Sequence, residues 1–339
     1  MRDLEFSVIV PAFAAPLEIE GCLEALAQLH APAGGFEVVV VDDGSPEPLE
    51  GVVDGYRGRL EVTLLRQSNA GPGRARNAGA RIARGRYFAF TDCDCWPAQD
   101  WLIVLARRLE HTPRHMLGGR TINRLTENAY STASQLIVDM AYDFFNWRPD
   151  EAHFFASNNL AVPSDLFQQV GGFNDQFFRY ASEDRELCDR WLHAGNRMTY
   201  VPDAIVLHAH DLSLTTFCRQ HFTYGRGAWA YQDLRTRRRS GRMRDDMKFH
   251  LRLLQLVREP LRRLPPRRAL HVLPLLGVWQ AANTAGFFYQ SVRACACAGP
   301  GLGSGKTSPA RYSIRRRIDT SSSASRSCCA SISSTTESS

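Results

Sequence analysis

Carboxylates gather at three places in this sequence, each past an apolar run or at the start of a helical pattern. Asp42 and Asp43 follow a valine run in VVVVDDGS, Asp92 and Asp94 form D-x-D in Thr91-Asp-Cys-Asp-Cys95, and Glu183 and Asp184 open Ser182-Glu-Asp-Arg-Glu-Leu-Cys-Asp-Arg-Trp191. Two carboxylates of a D-x-D in an extended turn can present oxygens to one hard divalent cation and leave the rest of its shell to water and a diphosphate. Val206-Leu-His-Ala-His210 brings two imidazoles, one of which can join such a shell. Asp184 falls in the first turn of a helix, where the macrodipole keeps a carboxylate ionised, as a general base must be. The turn Asn69-Ala-Gly-Pro-Gly-Arg-Ala-Arg-Asn-Ala-Gly79 places Arg74 and Arg76 at a helix N-terminus, a setting suited to phosphate. It is not the dinucleotide fingerprint, because it reads G-x-G-x-x-R and follows the third strand, which counts against a nicotinamide enzyme. Each cluster also has a plainer reading: a strand-ending turn for DDGS, a stabilised helix start for Glu183 and Asp184, surface histidines, and cysteines 93 and 95 packed under a strand end.

These residues need a scaffold, and the first 95 positions supply its signature. Phe6–Val10, Phe36–Val41, Leu60–Leu65 and Arg86–Thr91 read as strands, with Pro11 ending the first. Pro16 opens a helix carrying Leu17, Cys22, Leu23, Leu26 and Leu29 on one side. Strands alternating with helices predict an α/β fold: a mostly parallel sheet covered on both faces, with ligands beyond the carboxyl ends of its strands. The acidic pairs at 42–43 and 92–94 lie at such ends. Helices are expected after Trp101, over Ser131–Phe145 and over Ala181–His193, and a short strand over Arg197–Val201, before Pro202.

A chain of 339 residues exceeds one typical core, so one large domain with an appendage is expected. Hydrophobic residues at 44% and charged residues at 22% exclude collagen, coiled coil and wholesale disorder. Nine cysteines without a CxxC give neither a zinc ribbon nor a disulfide framework and fit a reducing compartment. The start of the chain carries no signal-peptide pattern, so the active part is expected to face the cytoplasm. The net charge of +6 conceals a concentrated segment: Arg235–Arg268 holds twelve Arg and one Lys against Asp245, Asp246 and Glu259. Interleaved Phe249, Leu251, Leu253, Leu254, Leu256, Val257 and Leu261 favour contact with a membrane surface over a nucleic-acid groove. The apolar stretch Ala269–Tyr289 is interrupted too often to span a bilayer and reads as interfacial or packed. Residues 294–339 hold four cysteines, with ten serines in the last twenty positions, and read as a disordered tail.

The succession of DDGS after a strand, N-x-G-x-G-x-A-R-N-x-G, D-x-D, a helix opening on Glu-Asp, and Val-x-His resembles the family 2 glycosyltransferases, which are inverting enzymes with the GT-A fold. The resemblance runs from about Phe6 to about Tyr231 and is far more specific than its parts. It implies a Rossmann-like nucleotide-binding part at about 1–120 and an acceptor part at about 121–232; the basic and amphipathic helical extension expected at 233–293 and the tail lie beyond it, and the tail matches nothing in the family. By resemblance, Pro11 and Phe13 stand near the base, Asp42 and Asp43 contact the nucleoside, and Arg76 lies near the uracil or phosphates. Asp92 is then near the ribose, Asp94 and His208 hold Mg2+ or Mn2+, Asp184 is the catalytic base, and Asn158, Asn159 and Glu183 line the acceptor side with Gly171–Phe173. Cysteines within the D-x-D depart from the family's usual pattern.

Chemistry agrees with the residue set. Cleaving an anomeric carbon from a nucleoside diphosphate leaves charge that a cation stabilises, and the acceptor hydroxyl needs a carboxylate to take its proton. One displacement with one base inverts the anomeric centre. The expected partners are a nucleotide-diphosphate sugar and a glycan or lipid-linked acceptor, with a peripheral contact at the inner face of the cell membrane and no nucleic acid. A non-catalytic nucleotide-sugar-binding or scaffold protein of the same fold is the alternative, and the complete set of Asp92, Asp94 and Asp184 weighs against it.

Overall fold

The computed structural model describes residues 4–179 and 181–297. Apolar runs bounded by turn residues form β1 (Phe6–Ala12), β2 (Phe36–Asp42), β3 (Val62–Arg66) and β4 (Tyr87–Phe90), separated by α1 (Pro16–Ala27), α2 (Glu50–Asp54) and α3 (Pro72–Ile82). There follow β5 (Cys95–Pro97), α4 (Trp101–His111), β6 (Met116–Asn123), α5 (Ala129–Phe145), β7 (Leu160–Pro163), α6 (Ser164–Val170), α7 (Glu183–His193) and β8 (Met198–His208). Five helices complete the described chain: α8 (Leu214–Arg238), α9 (Met243–Leu251), α10 (Leu253–Leu256), α11 (Arg258–Arg262) and α12 (Pro266–Cys297).

The strands make one sheet in the order β3-β2-β1-β4-β7-β6-β8-β5. Its first four strands are parallel, as expected. β7 runs antiparallel to both β4 and β6, β8 is parallel to β6, and β5 is antiparallel to β8, so the far half of the sheet is mixed. Alternation along β1 sends Val8 and Val10 to one face, against Ile19, Leu23 and Leu26 of α1 and Trp101 of α4, and Ile9 to the other, against Ala75 and Ala78 of α3. Burial on both faces is what makes these strands read as unbroken apolar runs. Each large side chain enclosed this way contributes about 1.5–3 kcal/mol relative to exposure.

Four sequence expectations change in the fold. β1 runs through Pro11, because strand alternation turns its nitrogen to the β4 side, where Ile9 takes its bond from Thr91 N–H and the last paired residue is Ile9 itself. β8 likewise continues past Pro202: the register with β6 jumps from Gly119 opposite Val201 to Arg120 opposite Ile205, and the bulge absorbs the proline. On α1 the buried set is Ile19, Cys22, Leu23 and Leu26, at helical spacing, while Leu17 points outward at 77% exposure. α12 extends to Cys297, so residues 294–297 are helical; the rest of the expected tail, 298–339, lies outside the described residues.

The basic segment is not a loose appendage. Phe249, Val257, Val272, Leu276 and Trp279 share a core with Ala133, Leu136 and Met140 of α5 and Phe217 of α8. Two glycines let α8 and α12 meet backbone to backbone: a Cβ on Gly225 would lie 1.9 Å from the Asn283 carbonyl oxygen, and one on Gly286 would lie 2.0 Å from that of Phe222. Among the described residues no helix is long and apolar enough to cross a membrane.

Candidate active site

The parallel half of the sheet brings the ends of β1, β2 and β4 side by side, and the acidic pairs issue from two of them. Asp42 is fully buried; its Oδ1 accepts from the Ser45 N–H at 2.8 Å, while Oδ2 has no hydrogen-bond partner and lies 3.7 Å from Arg66 Nε. Asp43 accepts from Gln67 Nε2 (2.7 Å) and from the backbone N–H groups of Ala70 (2.9 Å) and Gly71 (2.8 Å). It therefore ties the end of β2 to the Gly-rich turn that starts α3, using both of its oxygens. Pro11 is buried, and Phe13, just past β1, leaves half its surface open.

Arg76 has another duty than the phosphate contact expected of it. Enclosed at 3% exposure, it donates from Nη2 to Asp92 Oδ1 at 2.5 Å and from Nη1 to Glu183 Oε1 at 3.3 Å, over the ring of Phe173. One guanidinium, 107 residues before Glu183 in sequence, thus joins the start of the D-x-D to the start of α7. Glu183, expected on the acceptor side, is an Arg76 partner, and Asp92 is the other. The next residue of α3, Asn77, exchanges two bonds of 2.8 Å with the backbone N–H and carbonyl of Phe173, fixing the Gly171–Phe173 loop. Sequence reasoning passed over Asn77, although it sits inside the Gly-rich motif.

Asp94 and His208 do come together. His208 Nε2 lies 3.2 Å from Asp94 Oδ2, and Asp94, Cys95 and His208 hold their donor atoms within 4.8 Å of one another. Burial alone would raise the Asp94 pKa, but the hydrogen bond and charge of His208 outweigh it and hold the carboxyl below its ordinary range. Burial opposes charge on His208 as well, and Asp94 reverses that, raising the imidazole. A carboxylate, an imidazole and a thiol, with the first two partly open to solvent, fit a divalent cation.

Asp184 stands at the opposite side of the Arg76 clamp. Its Oδ1 accepts the Arg185 N–H at 2.7 Å. The sequence expectation was an ionised carboxylate; instead burial, followed by the neighbouring Glu183 charge, pushes its pKa up to about 7, against the lowering pull of Arg76 and Arg185. α7 begins at Glu183 and not at Ala181, because Ser182 takes a left-handed conformation (φ 95°) that ends the preceding segment. Gly227 of α8 allows that turn to sit close: a Cβ there would come within 1.7 Å of the Ala181 carbonyl oxygen.

Asn159 departs from expectation. Wholly buried, it accepts from Trp101 Nε1 (2.9 Å) and donates to the carbonyls of Arg120 (3.0 Å) and Ala204 (2.9 Å), which holds the β6–β8 bulge and leaves nothing for an acceptor. Asn158 is nearly as buried and accepts from Thr121 Oγ1 at 3.2 Å.

Behind α7 runs a chain of alternating charges. Arg190 donates to the carbonyls of Val170 (2.5 Å) and Gly172 (2.6 Å) and pairs with Glu186; Glu186 and Asp189 take Arg238; Asp189 and Asp246 take Arg235; Asp246 takes Arg185 at 3.1 Å. Arg235 and Arg238, read from sequence as part of a cationic face for an anionic partner, are thus spent internally, with 12% and 17% of their side chains exposed. No spacing rule could have paired α9 with α7, because the contact depends on the turn after Arg238.

A parallel half-sheet, a D-x-D facing a histidine and an acidic helix start clamped to it fit a glycosyltransferase fold of the GT-A type. The model of glycosyl transferase family 2 matches residues 7–171, and the model for the N-terminal domain of galactosyltransferase matches residues 137–211. The pre-mycofactocin glycosyltransferase of Mycobacterium tuberculosis is 29% identical over 210 residues, which are 60% of this chain and 44% of that protein. An N-acetylglucosaminyltransferase of Rhizobium sp. strain N33 is 30% identical over 244 residues, 66% of this chain and 52% of that one. The chain spans about half the length of these relatives. The mannosyltransferase PcManGT of Pyrobaculum calidifontis, solved with GDP-Man and Mn2+, superposes with a TM-score of 0.58 at 19% identity, covering 87% of this chain and 86% of that one.

Proposed function

We propose that this protein is an inverting glycosyltransferase that moves a sugar from a nucleotide-diphosphate donor to an acceptor hydroxyl, with Asp184 as general base. The observation that supports this reading is the Arg76 clamp, which joins Asp92 of the D-x-D to Glu183, the residue before Asp184. In this reading the donor lies over the ends of β1, β2 and β4, with Phe13 offering a half-exposed ring to the base and the buried Asp42 and Asp43 shaping the floor beneath the nucleoside. Asp94 and His208 would hold Mg2+ or Mn2+, and such an ion would supply stabilisation of the charge that develops on the leaving diphosphate. Asp184, with a pKa near the working pH, takes the acceptor proton as its oxygen attacks, and Arg76 and Arg185 favour its charged form when substrate arrives. Asn158 stays on the proposed acceptor side; the acceptor is a glycan or lipid-linked hydroxyl.

A thermal-shift panel of UDP-, dTDP- and GDP-sugars with and without Mn2+ tests the donor and the metal together. A donor at 100 times its Kd stabilises the fold by about 2.7 kcal/mol. We expect a metal-dependent rise in Tm for one nucleotide that Asp94→Ala abolishes; no rise for any of them would turn the reading toward a protein of this fold without turnover.

The reading includes a peripheral site of action at the inner face of a membrane. Met243, Met247, Leu251 and Leu254 form an exposed stripe at helical spacing along α9 and α10, from 46% to 80% open, next to Arg244, Lys248 and Arg252. Sedimentation with phosphatidylglycerol vesicles is expected for the wild type and reduced in Leu251→Ser/Leu254→Ser, with little binding to phosphatidylcholine. Equal binding by the variant would remove the stripe from this role.

A further inference from the structure

We propose that Cys95 is a ligand of the divalent ion held by Asp94 and His208, giving the centre a sulfur donor that favours thiophilic ions over Mg2+. This rests on the metal part of the reading above and concerns a residue that D-x-D chemistry leaves unassigned. The antiparallel pairing of β5 with β8 sets Cys95 directly opposite His208, and the chain makes it the neighbour of Asp94. Cys95 Sγ is 3.8 Å from Asp94 Oδ1, and His208 Nε2 is 3.2 Å from Asp94 Oδ2. Donors 2.0–2.3 Å from a tetrahedral ion sit roughly 3.3–3.8 Å from each other; these two spacings, to different oxygens of Asp94, are close to that range, and all three donor atoms lie within 4.8 Å of one another, so small side-chain adjustments complete a ligand shell.

Access agrees with the spacing. Asp94 and His208 keep 24% and 21% of their side chains open, whereas Cys95 is fully enclosed. An ion therefore enters past the carboxylate and imidazole, and the thiol closes its inner side. On coordination the thiol hydrogen leaves to solvent as a proton, and the sulfur electron pair it leaves behind forms the bond to the metal; nothing is oxidised or reduced. A thiolate ligand raises affinity for Zn2+, Cd2+ and Co2+ far more than for Mg2+.

Titration of the full-length protein with Co2+, followed by near-ultraviolet absorption, reads this directly. We expect a thiolate-to-cobalt charge-transfer band that disappears in Cys95→Ser and persists in Cys93→Ser and in a chain with cysteines 295, 297, 328 and 329 changed to serine. Zn2+ affinity should fall about tenfold or more in Cys95→Ser, with Mg2+ affinity changed less than about twofold. If Cys95→Ser does not fold, the 113Cd chemical shift of the wild type distinguishes a sulfur-bound ion from an all-nitrogen-and-oxygen one. A band that survives Cys95→Ser, or Mn2+ binding lost in Asp94→Ala but without a sulfur signature for Co2+ or Cd2+, overturns the assignment and leaves the function standing. Absence of any ion binding that depends on Asp94 overturns both.

Discussion

Asp184→Asn is expected to lower kcat about 10^2- to 10^4-fold while leaving the donor-induced rise in Tm intact. Asparagine keeps the shape and can still accept the Arg185 N–H at the Oδ1 position, so the loss isolates proton transfer from binding. Wild-type kcat/KM should rise with pH through about 7, where Asp184 gives up its proton, and that limb should vanish in the variant. Stability carries the opposite sign. Folding raises this pKa from its model-compound value of 3.8, so the folded state favours the protonated carboxyl, and its contribution is complete below the ordinary carboxylate range. The contribution is lost as pH rises through about 7, and unfolding midpoints measured across that window should fall less in the variant than in the wild type. Transfer within tenfold of the wild-type rate would remove Asp184 from the role of base.

Arg76→Ala should have the largest effect on the fold and on the site together. Removing one member of a buried ion pair costs about 3–5 kcal/mol, because its partners are left without compensation. Asp92 is 30% exposed and water screens it, which places the expected loss at the lower end, about 3 kcal/mol. With about 2.1 cal/mol/K of unfolding entropy per residue, a folded part of this size loses roughly 5 °C in Tm. Arg76 also pulls the Asp184 pKa down, so its removal should move the acidic limb of kcat/KM to higher pH. Arg76→Lys keeps a charge but lacks the fork that reaches two carboxylates, and should recover stability before activity. A Tm within a degree of the wild type in Arg76→Ala would show that the clamp holds nothing together.

The sequence was most legible where chemistry and secondary structure coincide. Valines 38–41 could only be an enclosed strand, and the carboxylates after them had to emerge at its end; the same logic placed Asp92 and Asp94 after β4. His208 met Asp94 as the family resemblance implied, because an antiparallel strand pair brings the two motifs together. Legibility failed where a side chain's partner lies on a distant element. Arg76 follows a Gly-rich turn and so read as a phosphate contact, although 107 residues later a glutamate waits for it. Asn159 is placed on the acceptor side by the resemblance, and only the bulge in β8 shows why its amide is enclosed. Asp184 shows the limit of local reasoning about charge: the helix dipole favours ionisation, but enclosure beside Glu183 prevails.

Gly225 and Gly227 lie two residues apart on α8, one against the backbone of α12 and the other against the carbonyl of Ala181, just ahead of Asp184. Contacts between main chains have no rotamers with which to take up a displacement. A helix gripped at both points behaves as a strut, and a shift of α12 cannot be absorbed before it reaches the turn that aims the carboxylate. Substitutions along the α8–α12 seam, far from any substrate, should therefore register in turnover as well as in melting, and the two readouts should scale together.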